Sequence, residues 1–247
     1  AEIQFEGFTF PAYDQIISHA ARIRNRSRGS YKCPIIVRCP YGGGVRALEH
    51  HSEAPETLYA HIPGLTVVIP STPTDAKGLL TTALESEDPV IFFEPKRLYR
   101  AFREDVPDER YTIPFGQAKI VQEGSDVTIV SYGAMVRVSM EAADQLKEKN
   151  ISCEIIDLRT ISPIDTETII NSVRKTGRCV IVHEAPRNLG VGAEIIARIN
   201  EKALMDLKAP VKRVTAYDVV TPLPKLEDFH FPDAGKVVKA VNYVMSF

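Results

Sequence analysis

Thr66-Val67-Val68-Ile69, Thr72-Pro73-Thr74-Asp75 and Val90-Ile91-Phe92-Phe93 follow one another in a single stretch, and their order decides the fold class. The first run is a strand. Thr72 then supplies an N-cap, with proline at the first helical position and an acid two residues on, and Ala76, Leu79, Leu80, Ala83 and Leu84 recur at helical spacing as one face. Val90 to Phe93 is apolar at consecutive positions, which suits a strand covered on both sides of its sheet. Strand, helix, strand in that order implies a parallel sheet with helical crossovers, hence an α/β protein.

Upstream, Pro34 to Cys39 is a further strand. It runs into Tyr41-Gly42-Gly43-Gly44-Val45-Arg46, with His50 and His51 close behind and a short helix from Pro55 to His61. Three glycines permit positive φ or close approach to a ligand, and the pattern is neither a dinucleotide fingerprint nor a phosphate loop. Each histidine has a structural reading beside the catalytic one, and the candidate is His51, which precedes Ser52. Ala1 to Phe5 reads as a strand. Thr9 reads as the N-cap of a helix that buries Phe10, Tyr13, Ile16, Ile17 and Ala20 and ends in Arg22, Arg24, Arg26 and Arg28 before Gly29. Cations are favoured at the negative end of a helix dipole, so the basic cluster is first a helix-end feature.

Lys96 to Pro114 has mixed charge, Pro107 and Pro114, and no sustained period, which marks a linker. A second α/β series follows. It has strands at Val127–Val130, Cys153–Leu158, Cys179–Val182 and Val211–Val214, and helices from Met135 to about Asn150, from a Ser162-Pro163-Ile164-Asp165 cap to Gly177, from Gly190-Val191-Gly192 to about Ala203, and from Ala234 to Met245. Thr221-Pro222-Leu223-Pro224 is a stiff, irregular segment. His183-Glu184 closes a strand where open α/β sheets place ligands, and a domain or subunit contact is the competing reading. Glu184 with Arg187 also reads as a solvated ion pair. Gly190 and Gly192 suit either an anion cradle or a tight turn, and Phe8 either a stacking platform for a planar heterocycle or core packing.

Composition narrows the partners. In 247 residues, 30 basic and 32 acidic side chains leave a net charge of −2, so no cationic footprint invites nucleic acid or an anionic membrane. Cys33, Cys39, Cys153 and Cys179 lack metal or disulfide spacing, which suits a reducing cytoplasm, or a mitochondrial matrix in a eukaryote.

Glu2-Ile3-Gln4-Phe5, the run Phe8 to Gln15, Tyr41-Gly42-Gly43-Gly44, His51-Ser52, Pro63-Gly64-Leu65, Pro70-Ser71-Thr72-Pro73, Asp75-Ala76-Lys77-Gly78-Leu79, Phe93-Glu94-Pro95-Lys96 and Asp157-Leu158-Arg159-Thr160 occur together and in order. Jointly they resemble the beta subunit of the thiamine-diphosphate-dependent decarboxylating component of 2-oxo acid dehydrogenase complexes. Phe92-Phe93-Glu94-Pro95-Lys96, Leu98-Tyr99-Arg100-Ala101 and His183-Glu184-Ala185-Pro186 look most like the branched-chain members, with the pyruvate members close.

The resemblance implies a transketolase-like pyrimidine-binding domain over residues 1–105, incomplete at its amino end, a linker over 106–114, and a transketolase carboxyl-terminal domain over 115–247. It also implies, by position, that Phe8 stacks on the aminopyrimidine of thiamine diphosphate, that Gln4 lines the substrate site, and that His51 is catalytic. An alpha subunit would hold the diphosphate and magnesium through a Gly-Asp-Gly motif that this chain lacks, leaving no metal ligands here. The expected assembly is alpha2beta2 on a dihydrolipoyl acyltransferase core, handing an acyl group to lipoyl. The family's cofactor-activating glutamate lies upstream of the Glu-Ile-Gln strand and is not in this sequence. The chain alone is therefore expected to be inactive, with exposed apolar sheet surface that favours association. Two other readings stand beside this one: a non-catalytic assembly module of the same family, and a single-chain transketolase, which the missing diphosphate motif disfavours.

Overall fold

A computed structural model describes every residue from Ala1 to Phe247. The front half contains α1 (Thr9–Asp14), α2 (Ile23–Arg26), β1 (Ile36–Tyr41), α3 (Glu56–Ala60), β2 (Thr66–Val68), α4 (Pro73–Glu85) and β3 (Val90–Pro95). The back half contains β4 (Lys119–Gln122), β5 (Val127–Ser131), α5 (Met135–Lys147), β6 (Cys153–Asp157), β7 (Thr160–Ser162), α6 (Thr166–Thr176), β8 (Cys179–Pro186), α7 (Val191–Ala203), β9 (Lys212–Ala216), α8 (Glu227–His230) and α9 (Ala234–Met245). They form two sheets, ordered β1-β3-β2-β7 and β4-β6-β5-β8-β9. All neighbours are parallel except two edge strands: β7 runs antiparallel to β2, and β4 antiparallel to β6.

The consecutive apolar residues of β3 divide between two faces. Val90 and Phe92 pack with Val68, Leu79 and Ala83 under α4, while Ile91 and Phe93 enter a larger cluster that also takes in Val130, Ile156, Ile181 and Ile195 from the back half. One core thus runs through both sheets. Thr72 caps α4 as read from the sequence, its Oγ1 accepting from Asp75 N at 3.0 Å. The buried face of that helix is Asp75, Gly78, Leu79 and Ala83, whereas Leu84 is 72% exposed, rotated off the stripe it was assigned to.

Several local expectations need correction. The opening segment is extended but holds only one bridge, Glu2 to Arg38, with Ile3 N donating to Arg38 O at 2.9 Å. Thr9 is no cap. The preceding residues Glu6 to Phe8 already form a helical turn, and the Thr9 hydroxyl donates back to Glu6 O at 2.6 Å. A π turn at Gln15–His19 and a 3-10 turn at Ala20–Arg22 then break the single period, so Ile16 and Ala21 are buried and Phe10 is 43% exposed. In the basic cluster, Arg24 pairs with Asp88 at 2.5 Å and with Glu87 at 3.4 Å. Ser162 does not cap α6. It ends β7, and Asp165 is the cap, accepting from Thr168 N at 3.0 Å. β8 also runs on past Val182 to include His183-Glu184-Ala185-Pro186.

The glycine loop after β1 is a packing joint between the halves. Gly42, at φ 78°, lies so close to the Glu184 carboxyl that a Cβ would overlap Oε2, Gly43 lies equally close to the Phe231 ring, and Gly44 N donates to Glu227. Glu184 is buried beneath this loop and Arg187 is exposed, so the two do not form the solvated pair read from the sequence. Burial raises the Glu184 carboxyl from 4.5 to about 8, against some relief from Arg97. Nearby, Tyr132 Oη donates to Glu56 Oε1 at 2.6 Å, and burial raises Glu56 to about 7.

Gly42→Ala combines left-handed backbone with a collision, and should lower unfolding stability by about 2–4 kcal/mol. Gly29→Ala, at φ 85° with open space around it, should cost only about 1 kcal/mol, and urea titration of both separates strain from packing. Glu184 holds a proton in the fold that the unfolded chain, titrating near 4.5, has released. Its contribution is therefore full below 4.5 and lost as pH rises toward 8. Glu184→Gln should gain on the parent by about 1–3 kcal/mol between about pH 5 and pH 8. Parallel stability curves would mean that the carboxyl is ionised in the fold.

Candidate active site

The segment before α1 and the loop after β1 meet at the carboxyl ends of the front sheet. A 3-10 turn at Glu49–His51 carries both histidines, with His51 N donating to Leu48 O at 2.9 Å. Gly7 lies against the His50 carbonyl at a distance that no side chain would allow. The His51 imidazole stacks on Phe5, with centroids 4.5 Å apart and planes 18° apart, and stands 5.0 Å from Phe8 at 60°. His50 lies 4.0 Å away on another side. His51 Nδ1 is 3.2 Å from His50 O, so the tautomer protonated at Nδ1 donates there and leaves Nε2 as an acceptor.

His51 is half-buried and Phe8 is 49% exposed, so one aromatic face and one imidazole edge look outward together. Gln4 is exposed on the same segment, next to Phe5. The three residues singled out in the sequence thus lie on two segments that touch. An exposed flat ring beside an imidazole suits a planar, electron-poor heterocycle, because the ring offers dispersion and a π face without charge.

Beneath this stack lies a pair that sequence reading missed. Glu6 and Lys96 are both buried, and Lys96 Nζ donates to Glu6 Oε1 and Oε2 at 2.8 Å each. Burial lifts the Glu6 carboxyl to about 6, opposed by the Lys96 charge. In the sequence Lys96 stands at the end of Phe93-Glu94-Pro95-Lys96, where a mixed-charge stretch begins. No spacing rule joins residues 90 positions apart, and a glutamate among Phe5, Gly7 and Phe8 was the sole local signal of a buried charge.

Other sequence candidates are structural. The His183 ring is buried against Gly190 and Gly192 at the start of α7, where a Cβ on either glycine would strike it. Those glycines make room for a histidine and do not cradle an anion. Burial lowers His183 to about 4, so it is neutral. A cavity of about 1010 Å³ is walled by Ser52, Glu53, Pro55, Glu184, Leu189 and Phe231 between the halves, and neither Phe8 nor His51 lines it. No group of three or more His, Cys, Asp and Glu side chains is placed to hold a metal ion.

Comparison with known proteins gives the geometry its context. Residues 1–101 match the transketolase pyrimidine binding domain, and residues 116–237 match the transketolase carboxyl-terminal domain. The chain is 54% identical to the pyruvate dehydrogenase E1 component subunit beta of Acholeplasma laidlawii, over 98% of this chain and 74% of that protein. It is 53% identical to that of Mycoplasma pneumoniae over 99% and 75%, and 47% identical to that of Bacillus subtilis over 100% and 76%. A split-gene transketolase, described as an inactive beta4 tetramer, shares the fold with a TM-score of 0.81 at 24% identity, over 100% of this chain and 75% of that one. The leaning toward branched-chain members is thereby corrected, since these relatives carry the pyruvate name. With both domain matches in order and relatives above half identity, the chain belongs to the transketolase-like beta subunits of the 2-oxo acid dehydrogenase E1 component.

Proposed function

We propose that this chain is the beta subunit of a pyruvate dehydrogenase E1 component and that Phe8 and His51 face the reacting centre. The observation that carries the reading is the outward-facing pair itself, a half-exposed Phe8 ring 5.0 Å from the His51 imidazole. Thiamine diphosphate, when bound, supplies the nucleophilic carbon and electron sink needed to decarboxylate a 2-oxo acid. Phe8 would give its aminopyrimidine a flat apolar wall. Gln4 would donate a hydrogen bond from its amide to a substrate oxygen. His51 would take up a proton at Nε2 and return it to the reacting group.

The same reading assigns the diphosphate and magnesium to an alpha subunit in an alpha2beta2 assembly, and acyl transfer to the lipoyl group of a dihydrolipoyl acyltransferase. The buried thiols, all unpaired, support a reducing compartment such as the cytoplasm.

Mixed with a matching alpha subunit, thiamine diphosphate and magnesium, the chain should reduce an artificial electron acceptor faster with pyruvate than with 3-methyl-2-oxobutanoate. A preference for the branched acid would reverse the substrate assignment, and an alpha-bound but inactive chain would favour the assembly-module reading. His51→Ala should lower kcat by about 10²–10⁴-fold with little change in cofactor affinity. Phe8→Ala should instead weaken thiamine diphosphate binding, by about tenfold in Kd, measured by fluorescence quenching.

A further inference from the structure

Lys96 sits at the end of β3, where its ammonium is shut away from water. An ammonium has three N–H donors, and here each has one acceptor: Glu6 Oε1, Glu6 Oε2 and the main-chain carbonyl of His51. Those acceptors belong to two separate pieces of chain. Glu6 lies between Phe5 and Phe8 on the segment that leads into α1, and the carbonyl belongs to the histidine itself.

The geometry follows from that bond set. Holding Glu6 fixes the segment that carries both aromatic rings. Holding the His51 carbonyl fixes the backbone from which the imidazole projects. The Lys96 ammonium also lies 5.2 Å from the Phe5 ring centroid, on the ring whose face stacks on His51. One buried cation therefore sets the spacing between the Phe8 ring and the His51 imidazole, which come from segments more than forty residues apart. The His51 ring is otherwise held by stacking and by the single approach of Nδ1 to the His50 carbonyl, contacts that constrain its plane more than its position.

We propose that Lys96, through its bonds to Glu6 and to the His51 carbonyl, is a positioning residue that places the His51 imidazole against the Phe5–Phe8 aromatic pair. The catalytic half of this statement rests on the reading of His51 given above, while the placement stands on the hydrogen bonds alone. Lys96 touches no reacting atom in this scheme. It acts by fixing where another group stands, and a displacement of about 1 Å at such a group costs about 10²-fold in rate.

The test uses the full chain with histidine-selective ¹³C labelling, and the same protein reconstituted with its alpha subunit for turnover. Lys96→Met leaves Glu6 buried without its partner, so Glu6→Gln/Lys96→Met is made beside it to remove both charges together. Folding is read from the resonances of His19, His61, His183 and His230, since His50 lies against the His51 ring. In both variants the His51 Cε1–H resonance should move downfield as the imidazole leaves the Phe5 ring current, with His19, His61, His183 and His230 in place. In the reconstituted enzyme kcat should fall by about 10²-fold, with KM for the 2-oxo acid and the Kd for thiamine diphosphate changed less than about threefold.

An unmoved His51 resonance in the folded double variant overturns the placement. Turnover lost in His51→Ala but kept within about twofold in the double variant overturns the positioning role alone. Turnover kept in His51→Ala overturns the assignment of His51, whatever the resonance does.

Discussion

The structure depends on one exchange of chain between its two sheets. After β6 the backbone passes through Arg159 at φ 59°, pairs Thr160–Ser162 antiparallel with Thr66–Val68 of the front sheet, and returns to the back half as α6. The residues flanking the crossing are locked to the start of α4: Arg159 pairs with Asp75 at 2.5 Å, and Ser71 donates to Asp157. Removing one partner from a buried pair of this kind leaves a stranded charge, at a cost of about 3–5 kcal/mol. The back half of the chain therefore supplies an edge strand of the front sheet, and one core cluster spans both sheets. The loop after β1, which carries His50 and His51, is fixed relative to both.

That constraint explains why the triple glycine serves packing. With β7 placed on the front sheet, the carboxyl ends of β1 and β8 approach each other. The loop leaving β1 then passes over Glu184, Phe231 and Arg97 with no room for side chains. Burial at this junction favours protonated carboxyls, raising Glu56 to about 7 and Glu184 to about 8. Neutral Glu184 and Glu56 can lie near each other beneath the loop, whereas two carboxylates there would repel. The large cavity beside this junction follows from the same geometry.

Much of the architecture was written in periodicity and punctuation. The caps at Thr72 and Gly177, the continuous apolar run at the start of β3, and the terminal helix from Ala234 to Met245 follow local rules that tertiary context left undisturbed. What escaped the sequence was long-range. β4 and β7 are short edge strands defined by their partners, the cap at Asp165 was displaced because β7 claimed Ser162, and α8 spans only Glu227–His230. The first helix misled because its π and 3-10 turns shift the face on which periodicity is judged. Family resemblance pointed to Phe8, Gln4 and His51, and the fold brings their segments into contact. Glu6 and Lys96, which tie those segments together, are joined only by the fold.

Holding the histidine proposed for proton transfer by its backbone carbonyl, and not by its ring, has a chemical advantage. A cation bonded to an imidazole nitrogen would occupy its lone pair and oppose its protonation. Lys96 instead spends its three donors on a carboxylate and a main-chain oxygen, leaving Nε2 available. Glu6 carries the opposite charge within 2.8 Å of the same ammonium, so the net field that the pair projects toward the ring is small. The stack on Phe5 orients the plane without adding charge. Placement and reactivity are thus set by different contacts, and the chain can fix where the imidazole stands while its proton remains exchangeable.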